Sequence, residues 1–171
     1  MAFIVEDGTG LEDATSYVSV QEFRDYHDDR GNDYSSSCKD TDLQKHLIRA
    51  TDYIETRWRE RFRGRRMSSE QSLSFPRLWL YDDEGFIVEG VPERLKRATH
   101  EYALRSLGGD LLPDPTTDAS GLRLRKTREK IGPIETEIEY QQEYREDLRP
   151  YPAADRLICT YVGPAGFVYR A

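Results

Sequence analysis

The sequence predicts a mainly α fold, a small α+β architecture: a bundle of about three to four helices with a protruding β-hairpin and an extended C-terminal tail. Apolar residues recur every three or four positions over residues 41–66 and again over 91–107, which is helical spacing. Over residues 134–140 the spacing changes to strict alternation, the period of a strand.

Residues 3–5 (FIV) make a short apolar run broken at Asp7-Gly8, which suits a strand or an arm laid on a neighbour. Ser19 and Glu22 have the S-x-x-E spacing of a capping box, in which each residue satisfies a backbone N–H of the other. Val20, Phe23 and His27 then fall at i, i+3 and i+7, giving a short helix to about Asp29 that Gly31-Asn32 stops. Thr41 and Gln44 offer a second capping box, with Asp42 in the first turn favoured by the helix dipole. Beyond them Leu43, Leu47, Ala50, Ile54 and Trp58 share one face, and Ile48 lies off it, so this helix of about 20 residues and roughly 30 Å should touch two partners. Gly64 is the expected stop.

Pro76 then excludes helix and pushes Phe75 extended. Residues 78–81 and 86–88 flank Asp82-Asp83-Glu84-Gly85, the composition of a hairpin loop, so a small ribbon at about 73–88 packed over the helices is expected. Pro92 at the first helical position and Glu93 in the first turn start another helix. Its stripe is Val91, Leu95, Ala98, Tyr102 and Ser106, with Leu104 and Leu107 off it, and Gly108-Gly109 ends it.

Residues 1–112 thus read as a helical core domain, and residues 113–171 as a linker, a hairpin at about 122–140, a short helix and a docking tail. In the hairpin one arm is basic (LRLRKTREK) and the other acidic (IETEIEY), so cross-strand ion pairs of about 0.2–1 kcal/mol each would fix the partnership. A lone two-stranded hairpin is marginal in water and wants a partner surface. Residues 153–159 suit one or two helical turns, and the aromatics of residues 161–171 suit docking onto a neighbour.

Composition narrows the function. The 171 residues are 37% hydrophobic and 33% charged, which leaves a modest core under a heavily charged surface. The net charge of −7 repels nucleic-acid backbones unless the cations are clustered. Cys38 and Cys159 make no C-x-x-C and read as reduced thiols. No signal peptide is expected at the N-terminus, and no stretch approaches the roughly 20 apolar residues of a membrane span.

Catalytic constellations are missing from the pattern. His27, His46 and His100 stand singly, without H-x-x-x-H or H-E-x-x-H spacing. The acidic groups at 28–29 and 82–84 lack the D-x-D-x-D-G order of a calcium loop, and no P-loop, dinucleotide fingerprint or G-x-S-x-G occurs. No enzyme activity, cofactor or metal is expected. The one conspicuous cluster is Arg57, Arg59, Arg61, Arg63, Arg65 and Arg66, interleaved with Trp58 and Phe62. Single-strand binders combine cations and aromatics in this way. Trp58, however, falls on the core stripe, and cations at a helix C-terminus are favoured in any case, so the same residues also fit a solvated or subunit-pairing face.

The chain resembles a family of small tailed-phage and prophage proteins, the head–tail connector (adaptor) proteins, also labelled DnaT-like single-strand DNA-binding proteins. The residues that carry the likeness are IVEDGTG (4–10), ATSYVSV (14–20), LIRATDYIETRW (47–58), FRGRR (62–66), SLSFPR (72–77), VPERLKRATHEYALRSL (91–107) and KIGPIETEIEY (130–140). Phe75 stands where the family commonly carries Trp, and residues 161–171 lie outside the likeness.

The resemblance implies a structural virion protein, assembled in the host cytoplasm and placed in the neck of a tailed phage. It would form a ring of itself, of twelve copies, that docks under the portal protein and meets a downstream neck or tail protein. Such a ring extends the channel for double-stranded DNA without reading its sequence, and involves no membrane. On that reading the portal- or partner-docking residues are Arg125, Lys126, Arg128, Lys130, Ile131, Pro133, Ile134, Ile138, Tyr140, Tyr161, Phe167 and Tyr169. The six clustered arginines would then be inter-subunit or channel-lining. The alternative is a single-stranded DNA-binding replication accessory protein that uses those arginines.

Overall fold

The computed structural model describes residues 2–34, 38–113, 124–130, 135–140 and 149–163, with the two segments 124–130 and 135–140 described as backbone. The chain divides into two compact units, Met1–Leu111 with Pro150–Ala171, and Leu112–Arg149. The fold is the expected mainly α arrangement with a two-stranded antiparallel hairpin.

The first unit is built on helices α1 (Val20–Asp28), α2 (Asp40–Trp58), α3 (Glu93–Leu107) and α4 (Pro152–Cys159). The first cap is as expected: the Ser19 hydroxyl accepts from the Glu22 N–H, and the Glu22 carboxylate accepts from the Ser19 N–H. The second differs. Helix α2 begins at Asp40 after Lys39, with no side-chain cap, so the Thr41–Gln44 box is not used. Asp40 and Asp42 still place negative charge in the first turn, and Arg24 binds Asp40 at 2.7 Å. At α3, Pro92 is the cap residue rather than the first helical one.

The predicted stripe of α2 is buried as Leu43, Leu47, Ala50, Ile54 and Trp58, and Thr51 and Tyr53 widen it. Helix α3 is the central element, packing against α1, α2 and α4, whereas α2 meets α1 and α3. That position explains why Thr99, His100 and Ala103 are buried on α3 beside the expected stripe of Leu95, Ala98, Tyr102 and Ser106. Helix α4, which the sequence groups with the hairpin, packs on α3 and lies in the first unit. The two ends of the 112–149 excursion are drawn together by the Tyr151 hydroxyl, which donates to the Leu111 carbonyl at 2.9 Å.

The N-terminal run turns inward rather than onto a neighbour. Val5 bridges Ser16, and the Ile4 carbonyl accepts from Thr15 and Ser16. The buried Glu6 carboxylate gathers the N–H groups of Gly8, Gly10 and Leu11 at 2.8–2.9 Å, which ties the IVEDGTG segment into a closed loop. The SLSF segment is held by Glu55, whose carboxylate accepts from the Ser74 N–H, the Ser74 hydroxyl and the Tyr17 hydroxyl.

The second unit contains β3 (Leu124–Lys130) and β4 (Glu135–Tyr140), an antiparallel pair. Its register sets Lys126 opposite Glu139, Arg128 opposite Glu137 and Lys130 opposite Glu135, the pairing of opposite charges that the sequence suggested. A register shift between Leu124 and Lys126 leaves Arg125 out of the ladder.

All three histidines lie in the helical unit. Asn32 contacts His27 Nδ1 at 2.9 Å, and His27 Nε2 contacts the His100 carbonyl at 3.2 Å, an arrangement that suits a neutral ring. Burial, with a smaller effect from the nearby His27, holds His100 at a pKa of about 3; burial lowers His27 as well. A histidine whose folded pKa is depressed is neutral in both states at high pH. As pH falls below about 6.5 the unfolded chain takes up a proton at His100 that the fold refuses, so stability is lost down to about pH 3, by about 1.4 kcal/mol per pH unit for that group, and His27 acts in the same direction. Thermal unfolding followed by circular dichroism should show Tm falling between pH 7 and pH 5. A His100→Gln variant should show a shallower slope over that range.

A candidate nucleic-acid interface on an arginine-aromatic ribbon

The C-terminal end of α2 runs into a 3-10 turn at Arg59–Arg61 and then into a short ribbon of β1 (Arg65–Arg66) and β2 (Arg77–Leu78). Gly64 makes the join: its φ is +72°, and a Cβ there would stand 2.5 Å from the Leu78 carbonyl oxygen, so the two backbones meet only across a glycine. Arg77 then locks the join. Its guanidinium donates to the carbonyls of Arg63 and Gly64 at 2.8 Å, Ser74 at 3.2 Å and Phe62 at 3.3 Å.

The six clustered arginines separate into two groups. Arg57 donates to the Tyr53 hydroxyl at 2.6 Å and to Asp155 at 3.0 Å, in a largely buried pair. Arg63 donates to the Thr160 carbonyl and lies 3.5 Å from Asp83. Arg66 donates to the Gln71 carbonyl at 3.0 Å. These three hold the fold. The other three face outward: Arg59, beside Glu55 at 3.8 Å; Arg61, stacked over Trp58 at 5.0 Å; and Arg65, stacked over Trp79 at 4.2 Å.

The aromatic partners are not the ones the sequence suggested. Trp58 and Phe62 are buried, as the stripe implied for Trp58. In their place the ribbon presents Trp79, 64% exposed, with Tyr81 at 45%, Phe86 at 66% and Ile87 at 64%. Leu80 between Trp79 and Tyr81 is fully buried, so one side chain turns inward between two that face outward. Tyr81 is bridged to Ile87, and Asp82 Oδ1 closes the turn by accepting from the N–H groups of Glu84 and Phe86. The Val88 N–H donates to the Leu80 carbonyl at 2.9 Å, so residues 80–88 pair as a hairpin whose Leu80 enters the core while Tyr81, Phe86 and Ile87 face solvent.

Trp79 has a second peculiarity. Its φ is +56°, left-handed backbone that a bulky side chain adopts only at a cost of order 1–3 kcal/mol. The close packing of Gly64 against residues 78–80 holds it there. The sequence signal for this site is the WLYDDEGFI segment (79–87), where five large apolar side chains flank an acidic turn without a partner stripe.

The remaining predicted site residues fall elsewhere. Tyr161, expected to dock on a partner, is 5% exposed in the core against Phe75, and its carbonyl accepts from the Arg63 N–H. Burial raises its pKa, as it does those of Tyr17 and Tyr102. Arg125, Lys126, Arg128, Lys130, Ile138 and Tyr140 lie in β3 and β4, where backbone and register are described. Ile131, Pro133, Ile134, Phe167 and Tyr169 lie outside the described residues. Among the described residues no group of three His, Cys, Asp or Glu could hold a metal ion, and no helix is long and apolar enough to cross a membrane.

The full chain, residues 1–171, matches the protein family described as "Putative DnaT-like ssDNA binding protein". No curated protein and no solved structure matches it.

The two arginine groups should part cleanly in denaturation. Arg57→Ala leaves Asp155 buried and short of a partner and should cost about 3–5 kcal/mol. Arg61→Ala and Arg65→Ala should each stay within about 0.5 kcal/mol of the parent. Urea midpoints at constant m would measure all three.

Proposed function

We propose, from the premise that the chain belongs to this family of DnaT-like ssDNA-binding proteins, that it holds single-stranded DNA on the outer side of the ribbon. The observation that carries the proposal is the exposed Trp79 with Arg65 stacked on it, beside Tyr81 and Phe86. A flat ring accepts the face of any base, and an adjacent guanidinium reaches the phosphate between stacked bases. Stacking accepts the face of every base, so binding should be tolerant of sequence. The protein acts by binding and carries out no catalysis.

Electrostatics sets the strength. The three outward arginines are matched in number by Asp82, Asp83 and Glu84 on the ribbon's turn, and the whole chain carries −7. Stacking must therefore supply most of the affinity, and the salt dependence should be shallow. With about three phosphates neutralised, log K should fall with log salt at a slope of about −2. Fluorescence anisotropy with a labelled oligo-dT at low ionic strength tests this. Trp79→Ala should weaken binding by about 5- to 100-fold, the worth of one stacked base. Absence of binding at low salt, or full binding by the Trp79→Ala chain, would refute the proposal.

A second reading, the head–tail connector, has its own support. The apolar surface of Phe86 and Ile87 suits a protein partner, and the charge-split hairpin forms a compact unit of its own. Under this reading the protein is a virion component, a ring of copies between portal and neck around passing double-stranded DNA. Removing residues 125–140 should then leave the helical unit folded yet abolish attachment to packaged heads, scored by electron microscopy of the neck. Attachment that survives the deletion would end this reading.

A further inference from the structure

The two strands of the hairpin form a sheet with both outer edges open among the described residues. Open edges present unpaired N–H and C=O groups and recruit further strands. What they recruit depends on charge. Strand β3 carries four cations and one carboxylate, a net +3, and β4 carries three carboxylates and no cation, a net −3. Within the hairpin the register already sets three cation positions opposite three carboxylate positions.

We propose that the hairpin is a self-docking module: the open edge of β3 in one copy pairs antiparallel with the open edge of β4 in the next. Alternatives between copies fail on charge. A β3–β3 contact sets +3 beside +3, and a β4–β4 contact sets −3 beside −3, and like charges directly opposite destabilise a ladder. The β3–β4 contact repeats the opposition already present inside the hairpin. Positions 126, 128 and 130 share one face of β3 by the strand period, and 135, 137 and 139 share the corresponding face of β4, so the complementarity survives addition of a strand. The complement is supplied by this same chain, over a strand of nearly the same length: seven residues in β3 against six in β4.

The contact is heterologous, because each copy offers a basic edge and an acidic edge at once. It therefore propagates head to tail instead of stopping at a two-fold dimer. It also relieves the marginal stability of an isolated two-stranded hairpin, since every added copy gives both strands a second neighbour. The inference is independent of the single-strand-binding reading, since it uses none of the ribbon residues, and it shares the hairpin with the connector reading.

A charge-swapped chain tests it. K126E, R128E and K130E combined with E135K, E137K and E139K exchange the two edges while keeping opposite charges across the hairpin. By sedimentation velocity at low salt, the parent and the swapped chain should each self-associate at concentrations up to about 100 µM, and added salt should weaken both. A neutral chain carrying K126Q, R128Q, K130Q, E135Q, E137Q and E139Q should stay monomeric over the same range, because it loses the complementarity between copies without opposing like charges inside its own hairpin. A parent that stays monomeric over that range overturns the proposal. So does a swapped chain that no longer self-associates, or a neutral chain that associates as the parent does, which would place the contact on another surface or another partner.

Discussion

The carboxylate of Asp155 is the point on which the helical unit turns. One oxygen accepts from the Tyr102 hydroxyl at 2.6 Å, and the other accepts from Arg57 and from the Tyr151 N–H, both at 3.0 Å. Those donors come from α3, from α2 and from the residue that precedes α4, so one side chain joins three helices. Trp58 extends the set by donating from its indole N–H to the Tyr102 oxygen at 3.2 Å. A carboxylate in an apolar setting is tolerable only when its lone pairs are occupied, and here a cation and two neutral donors occupy them. The consequence reaches past the core: with α4 seated in this way, the chain returns to the helical unit after its excursion through residues 112–149.

This arrangement explains which parts of the fold were legible in the sequence. Local signals were: the Ser19–Glu22 cap, the stripe that ends in Trp58, and the alternation with opposite charges in the hairpin. Each is a matter of spacing between residues close in the chain, or of charge on two adjacent strands. Asp155 sits almost a hundred residues from Arg57, and nothing in a periodic pattern connects them. Length is an equally poor guide: α2 is the longest helix, yet it is not the centre. The centre is α3, whose polar Thr99 and His100 break the apolar stripe yet are buried.

The arginine cluster shows the limit of reading composition as surface. Six cations within ten positions suggest a basic patch, but three of them are bound to Asp155 and Tyr53, to the Thr160 carbonyl and to the Gln71 carbonyl. A guanidinium with five donors can satisfy several orphan carbonyls at an irregular chain crossing, which is what Arg77 does for residues 62–64. Arginine density at this place marks a junction of loops as much as it marks a ligand. The exposed aromatics were harder to foresee, because Trp79 and Phe86 have the composition of core residues. Only the tertiary arrangement shows that the inner side of the ribbon is filled by Leu80.

Trp79 is where stability and function pull apart. A fold selected for stability alone would bury such a ring, or replace it with a glycine at a backbone φ of +56°. Instead the close approach at Gly64 holds the left-handed turn, and Arg65 covers one face of an indole that otherwise meets water. Cation–π coverage offsets little of that exposure at a solvated site. Strained backbone and exposed aromatic surface at the same residue are each unfavourable, and their coincidence is what a binding surface requires: a ring held rigid before its ligand arrives, so that little ordering entropy is left to lose on contact. A weakly charged, preorganised stacking surface on an acidic protein favours contacts that form and release readily, and that kinetic character is consistent with the proposed handling of a strand, or a partner, without retention.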